Sequence, residues 1–142
     1  MKKEINVPAI LEQLEKVTNF VNQELKVDQL PEKVIRQFDI AIDELFTNIA
    51  SYAYEKGQEG AVTVQLEKED SPPAIQISFI DSGIPFDPLS HEEPDVSLGV
   101  EERSIGGLGI FLVKKIMDDV QYRFENGKNI ITIKKYFDGG IR

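Results

Sequence analysis

No cysteine occurs anywhere in the chain. That excludes disulfides and thiolate metal sites, and it is compatible with a reducing cytosol. No apolar run is long enough to span a bilayer. The opening Met1-Lys2-Lys3-Glu4 leads into an amphipathic segment and not into the apolar core of a signal peptide. Basic residues are in the minority, 16 Lys and Arg against 25 Asp and Glu, for a net charge of −9. This balance argues against general binding to nucleic acid or to an acidic membrane. Internal repeats and low-complexity tracts are absent, and so is the Gly-Lys-Ser/Thr signature of a P-loop. What remains is 142 residues with an ordinary soluble balance, 41% hydrophobic and 29% charged. The expectation is one cytoplasmic domain, residues 1–142, with a sizeable core.

Periodicity gives the elements. Lys2 to Val7 is predicted as a short edge strand, and Pro8 is expected to open a helix, a favoured place for proline. Ile10, Leu14, Val17, Val21 and Leu25 form the apolar stripe of that helix, which ends near Lys26. A second helix is predicted from about Pro31 to about Tyr54, with Val34, Phe38, Ala41, Leu45, Ile49 and Ala53 as its core stripe. Glu44 and Asn48 lie four apart in this helix, roughly 40° from one another around the axis. They fall on the shoulder of the stripe. There they can line a cleft, or simply form a polar pair at the boundary of the core. Ile40 stands on the otherwise polar side, either as a stray surface residue or as part of a contact with another chain.

The second half reads as hairpins around one more helix. Val62, Val64 and Leu66 alternate with polar residues, and so do Ile75, Ile77 and Phe79 after the Ser71-Pro72-Pro73 turn. Those two strands are expected to pair antiparallel. The second ends at Asp81-Ser82-Gly83-Ile84-Pro85-Phe86-Asp87-Pro88, where Asp, Gly and Pro also suit an ordinary strand end. Residues 87–105 show little periodicity and hold six carboxylates, Asp87, Glu92, Glu93, Asp95, Glu101 and Glu102, against one basic residue, Arg103. A segment of this length inside a domain reads as a lid, a binding loop or a disordered piece. Val120, Tyr122 and Phe124 then alternate, Asn126-Gly127 marks a hairpin turn, and Ile130 to Phe137 returns. Strands and helices do not alternate, so the expected fold is an α/β sandwich, a mostly antiparallel sheet with helices on one face.

Between the acidic segment and the last hairpin lies Ile105-Gly106-Gly107-Leu108-Gly109-Ile110-Phe111-Leu112-Val113-Lys114-Lys115-Ile116-Met117. From Leu108 it is helical in period. A glycine-rich loop feeding a helix N-terminus suits an anion, because free N–H groups and the positive end of the dipole converge there. A flexible hinge before a core helix is the plainer reading. A dinucleotide site is disfavoured, since a third glycine at the required spacing is missing and the acidic segment, not a strand, precedes the loop.

Taken in order, these pieces resemble the N, G1 and G2 boxes of the GHKL ATPase superfamily. The cues are Glu44-Leu45-Phe46-Thr47-Asn48 followed by Ala53-Tyr54, the Asp81 to Pro88 segment, and Gly106-Gly107-Leu108-Gly109 running on through Met117-Asp118-Asp119-Val120-Gln121-Tyr122. Within the superfamily the chain looks most like the small anti-sigma-factor serine/threonine kinases and related anti-sigma regulatory factors. The resemblance implies a Bergerat-type ATP-binding fold with ATP and Mg²⁺ as cofactors. It implies that Asp81 accepts the exocyclic amine of adenine, that Gly83 leaves room for the base, and that Phe86 and Thr132 are further pocket residues. It implies that Asn48 offers its amide oxygen to Mg²⁺, and that Gly106, Gly107, Leu108 and Gly109 bring backbone N–H groups to the phosphates. Glu44 would orient or deprotonate the attacking hydroxyl, and Arg103 would reach the terminal phosphates. A His often found four residues after the Asn is Tyr52 here, and the first strand is short.

Six carboxylates in the lid would repel a nucleotide, so either Mg²⁺, Arg103 and the helix N-terminus outweigh them or they point away; the second is expected, with the acidic face available to a protein partner. Two functions follow. One is a Mg-ATP-dependent kinase that phosphorylates an anti-sigma antagonist and regulates transcription by partner switching with a sigma factor. The other is an ATP-binding regulatory module that sequesters a protein partner without significant turnover. Neither implies direct contact with nucleic acid or membrane. Ile40 and the resemblance together suggest a homodimer.

Overall fold

The structure is a computed structural model that describes residues 2–55, 58–90 and 107–137, with the side chains of Ser90, Gly107 and Leu108 outside the description. Eight elements follow in order: β1 (Lys2–Pro8), α1 (Leu14–Val27), α2 (Glu32–Tyr52), β2 (Ala61–Asp70), β3 (Pro73–Asp81), α3 (Gly107–Ile116), β4 (Asp119–Glu125) and β5 (Lys128–Tyr136). Single 3₁₀ turns occupy Leu11–Gln13 and Pro88–Ser90. The five strands form one sheet of order β1-β2-β3-β5-β4, with every neighbouring pair antiparallel.

The alternation read from the sequence decides which face of the sheet is covered. Val62, Val64, Leu66, Ile75, Ile77, Phe79, Ile131 and Ile133 are buried toward the helices. The opposite phase is polar, and its side chains bond across strands: Thr63 Oγ1 to Asn6 Oδ1 at 2.9 Å, Gln65 Nε2 to Glu4 Oε1 at 3.1 Å, and the Ser78 and Thr132 hydroxyls at 2.8 Å. The β4–β5 hairpin turns on Asn126 and Gly127, at φ 54° and 77°. Such a two-residue turn matches the twist of the strands that it joins.

Helix α2 is the central rod. It buries Val34, Ile35, Phe38, Ala41, Ile42, Leu45, Phe46 and Ile49, a broader face than the predicted stripe, because α2 touches α1, α3 and β3 at once. Phe38, Phe46 and Phe79 are among the largest fully buried side chains, and each contributes about 1.5–3 kcal/mol by leaving water. Pro31 sits outside the first turn with its carbonyl accepting from the Val34 and Ile35 N–H groups at 3.0 and 3.1 Å. Helix α1 stops where Gln29 takes a left-handed φ of 56° and the Leu30 N–H reaches back to the Leu25 carbonyl, the geometry of a helix C-terminus closed by one left-handed residue.

The first helix departs from expectation. Pro8 does not open it. Pro8 is the last residue of β1, paired with Ala61, and the Ala9 N–H continues the ladder to the Gly60 carbonyl at 2.9 Å. A proline at a strand end forfeits no ladder bond that matters. Ile10 is still extended, at φ −131° and ψ 149°, so it cannot join a helical stripe and stands 47% exposed.

Four charges are folded into the end of the sheet beneath α1. Lys68 enters from β2 and Lys3 from β1 to meet Glu24 on α1 and Asp28 just past its end. Lys3 Nζ lies 3.1 Å from Glu24 Oε2, Lys68 Nζ lies 3.5 Å from Glu24 Oε1, and Lys68 also pairs with Asp28 Oδ2. The Lys68 and Asp28 side chains are only 8% and 7% exposed. Burial pushes the Glu24 carboxyl up, but the hydrogen bond and charge of Lys3, with Lys68 behind them, outweigh it and hold Glu24 below its usual range.

Candidate functional site

Asp81 closes β3 in the buried phase, two residues beyond Phe79 and directly opposite Asn129 on β5. It is 5% exposed. Its Oδ1 accepts from the Gly83 N–H at 2.9 Å and from Asn129 Nδ2 at 3.0 Å. Among the described residues Oδ2 has no such partner. Burial pushes the Asp81 carboxyl upward, against the downward pull of Asn129 and of the Gly83 N–H, and the net direction is up.

A cleft opens above this carboxylate. Leu45, Ile49 and Ala53 line it from α2, Ile84, Phe86 and Pro88 from the segment after β3, and Ile131 from β5. Asp81, Asn129 and Tyr122 supply its polar groups at the sheet, and Asn48 and Tyr52 those of α2. An apolar slot with a few convergent polar groups is the usual form of a small-molecule site. Such a slot suits a flat heterocycle that presents a donor to Asp81.

The second part of the site lies one turn back along α2. Asn48 Nδ2 donates to Glu44 Oε1 at 3.3 Å, as the spacing of four permits. Burial raises the Glu44 carboxyl above its usual range, the Asn48 hydrogen bond lowers it, and neighbouring Asp43 raises it further, with a net upward direction. Glu44 does not line the cleft. Its carboxyl lies on Gly109, in the first turn of α3, where an added Cβ would stand 1.9 Å from Glu44 Cδ. A side chain at this position would have to displace the Glu44 carboxyl.

Glu44, Asn48 and Gly109 are therefore brought together, and Asn48 joins them to the cleft that holds Asp81 and Phe86. Gly107 begins α3 and Leu108 follows it, described in their backbone course only. Arg103, Gly106 and most of the segment expected as a lid, residues 91–105, lie outside the described residues. Gly83 serves differently from the expectation. A Cβ there would meet the Ala53 carbonyl oxygen at 2.1 Å, and the Ile84 N–H donates to that same oxygen at 2.9 Å. The absent side chain thus lets the chain dock on the end of α2.

Thr132 is not a pocket residue. It falls in the outward phase of β5 and bonds Ser78 on the open face of the sheet. Two residues missed by sequence reasoning, Asn129 and Tyr122, line the cleft instead. Asn129 shares the parity of Ile131 and Ile133, so it was legible as an inward polar residue just past the Asn126-Gly127 turn. Tyr54 was singled out only as part of a motif, without a role. Its hydroxyl accepts from the Ser82 N–H at 2.8 Å and donates to the Ala61 carbonyl at 2.7 Å, tying the exit of β3 to the start of β2.

The profile of the histidine kinase-like ATPase domain matches residues 7–135, and the chain belongs to that family. It is similar to serine-protein kinase RsbW of Listeria monocytogenes serovar 1/2a, 31% identical over 107 residues, covering 72% of this chain and 66% of the relative. It is likewise similar to serine-protein kinase RsbW of Bacillus cereus, 31% identical over 104 residues, covering 70% and 63%. The chain thus spans slightly under two thirds of the length of these relatives. In fold it is similar to the crystal structure of the RsbU and RsbW domains of Rv1364c from Mycobacterium tuberculosis, with a TM-score of 0.69 at 13% identity, covering all of this chain and 34% of that one. Family membership implies an ATP site. No helix among the described residues is long and apolar enough to cross a membrane.

Proposed function

We propose that the chain is an anti-sigma-type serine/threonine protein kinase. In this reading it uses Mg-ATP to phosphorylate an anti-sigma antagonist and thereby shifts the partners of a sigma factor. The observation that carries it is the pairing of a ready acceptor, Asp81 Oδ2 at the base of an apolar cleft, with a carboxylate and an amide one turn away on α2 against the first turn of α3.

In this reading adenine enters the slot between Ile49, Ile131 and Phe86, and its exocyclic amine donates to Asp81. The triphosphate runs past Asn48 toward α3, where backbone N–H groups from Gly107 to Gly109, with Gly106 and Arg103 before them, hold the phosphates. Among the described residues no group of three or more acidic or histidine side chains could hold a metal. Mg²⁺ takes few protein ligands and keeps water and phosphate oxygens for the rest. Asn48 fits as such a ligand, because its Nδ2 is committed to Glu44 and its Oδ1 remains an acceptor. When bound, the ion would neutralise charge developing on the transferred phosphoryl group. Glu44 takes the proton of the attacking serine hydroxyl, and the raised affinity of its carboxyl for a proton suits a base.

One observation favours a second reading, an ATP-gated binding module without significant turnover: Glu44 rests on Gly109 and does not line the cleft. Radiolabelled phosphate transfer from ATP to candidate antagonist proteins, beside direct ATP titration, separates the two. Transfer supports the kinase. ATP binding with a partner affinity that differs between ADP and ATP, and no transfer or hydrolysis, supports the module. The span of the family match supports reading residues 1–142 as one such domain. Ile40, 44% exposed on α2, supports a homodimer, which light scattering across micromolar concentrations would refute by giving a monomer throughout.

A further inference from the structure

Asn129 is buried at 6% exposure, and all of its hydrogen-bonding capacity is used. Its Nδ2 donates to Asp81 Oδ1 at 3.0 Å and to the Ile84 carbonyl at 2.8 Å. Its Oδ1 accepts from the Phe86 N–H at 3.2 Å and from the Tyr122 hydroxyl. A primary amide has two donor hydrogens and two acceptor lone pairs, and each has a partner here.

The orientation of this amide is therefore determined. Rotated by half a turn, it would set its oxygen against a carboxylate and a backbone carbonyl, and its NH₂ against a backbone N–H. Tyr122 can turn its hydroxyl to suit, but Phe86 and Ile84 offer fixed backbone groups. Nothing is left over for a ligand, so Asn129 acts through what it holds. It holds Asp81 by one oxygen, which leaves the other as an acceptor in the cleft, and it holds the Ile84–Phe86 wall.

We propose that the Tyr122–Asn129 pair is the positioning device that sets base selectivity, holding Asp81 as a fixed hydrogen-bond acceptor that takes a 6-amino purine and turns away a 6-oxo purine. This rests on the nucleotide reading above. An amino group at that edge donates to Asp81, whereas an oxo group would face a carboxylate with no proton between them. A site built to pair with a donor rejects the analogue that lacks it, because its own buried polar group is left unpaired. Asn129 maintains this state in two ways. Its N–H favours the charged carboxylate, and its fixed geometry keeps the free oxygen on the cleft side. Among the described residues, the other groups around Asp81 supply no cation: Gly83 N–H from the following turn, the Tyr122 phenol on β4 with Asp87 near it, and Asn48 across the cleft on α2.

Asn129→Asp is nearly isosteric but replaces the NH₂ that faces Asp81 with an oxygen, so the two carboxyls must share a proton. Direct titration of the full chain with ATP and with GTP, each with Mg²⁺, should show ATP affinity falling and the ATP-to-GTP affinity ratio shrinking on the order of tenfold or more. The acid-side midpoint of ATP affinity against pH should also move upward, a readout that a purely structural role would not shift. Tyr122→Phe, which keeps the ring and frees one side of the amide, should narrow the ratio in the same direction by less. Thermal melts confirm that each variant is folded. An unchanged ratio and an unchanged midpoint in a folded variant overturn the inference while leaving the nucleotide site in place. If Asn129→Asp does not fold, an unchanged ratio in Tyr122→Phe overturns it. A wild-type chain that binds neither nucleotide overturns the nucleotide reading and this inference together.

Discussion

Two pairs of buried or half-buried carboxylates stand at opposite ends of this molecule, and the chain treats them in opposite ways. Beneath α1, Glu24 and Asp28 meet Lys3 and Lys68, two cations for two anions. At the candidate site, Asp81 in the cleft and Glu44 beside it meet amides: Asn129 and the Gly83 N–H for one, Asn48 for the other. Glu24 is accordingly shifted down, and Asp81 and Glu44 are shifted up. A carboxylate that has its own cation is complete within the fold. One oriented by neutral groups and left undercompensated is poised to gain from a ligand that brings a donor or a positive charge.

The largest effect to expect falls on the candidate site. Glu44→Ala should leave ATP binding nearly intact and cut phosphate transfer by about 10²–10⁴-fold, the usual contribution of a general base. Transfer at the wild-type rate, measured with radiolabelled ATP, would place Glu44 with the structural carboxylates and erase the contrast. Lys68→Met makes the opposite intervention, leaving Glu24 and Asp28 with Lys3 alone. Removing one partner of a buried ion pair typically costs about 3–5 kcal/mol, to be read from urea unfolding, with ATP affinity per folded molecule unchanged. A loss below about 1 kcal/mol would mean that water or rearrangement satisfies the cluster, as at an exposed pair.

Asp81→Asn comes next. It should weaken ATP binding by about 1.5–3 kcal/mol, the range for a hydrogen bond to a charged group, while the fold survives. Isothermal titration with unchanged affinity would move the base elsewhere. The smallest effect is on the pH dependence of stability. Glu24 has a folded value below its ordinary 4.5, so its stabilisation is present above that value and is lost as pH falls through the folded one. Asp81 has a folded value above its ordinary 3.8, so its contribution is present below that value and is lost as pH rises through the folded one. Unfolding free energies of Glu24→Gln and Asp81→Asn, each compared with wild type across the acidic range, should therefore diverge with opposite slopes. Parallel curves would show that the two environments do not differ as described.

Much of this was legible before any coordinates, for physical reasons that also explain the failures. Strands β2, β3 and β5 announce themselves by alternation, because one face of the sheet meets helices and the other meets water. Asn126-Gly127 announces its turn because both positions need a positive φ. Glu44 and Asn48 could be put on one helical face by arithmetic alone. Pro8 misled because proline suits a helix start and a strand end equally, and only pairing with Ala61 decides between them. Thr132 misled because resemblance pointed to a residue type on the last strand, whereas parity, which puts Asn129 inward and Thr132 outward, settles the face. The ion cluster was invisible, since Lys3 and Lys68 are far in sequence from Glu24 and Asp28, and each of the four reads locally as surface charge.

The two glycine contacts on α2 have a consequence for how this chain can change over generations. Gly109 meets Glu44, and Gly83 meets Ala53, nine residues on at the helix C-cap, a separation of about 13 Å at 1.5 Å per residue. The Gly83 contact is against backbone and has no slack, whereas Gly109 meets the end of a long side chain that can swing aside only by giving up its present place beside Asn48. Inserting or deleting one residue between Glu44 and Ala53 would turn one end by about 100° against the other and could satisfy at most one of the two. Substitutions can accumulate along that stretch wherever its core face is kept, whereas a change of its length would part the Gly83 docking from the Glu44–Asn48 face, so length variation should concentrate in the connections outside it.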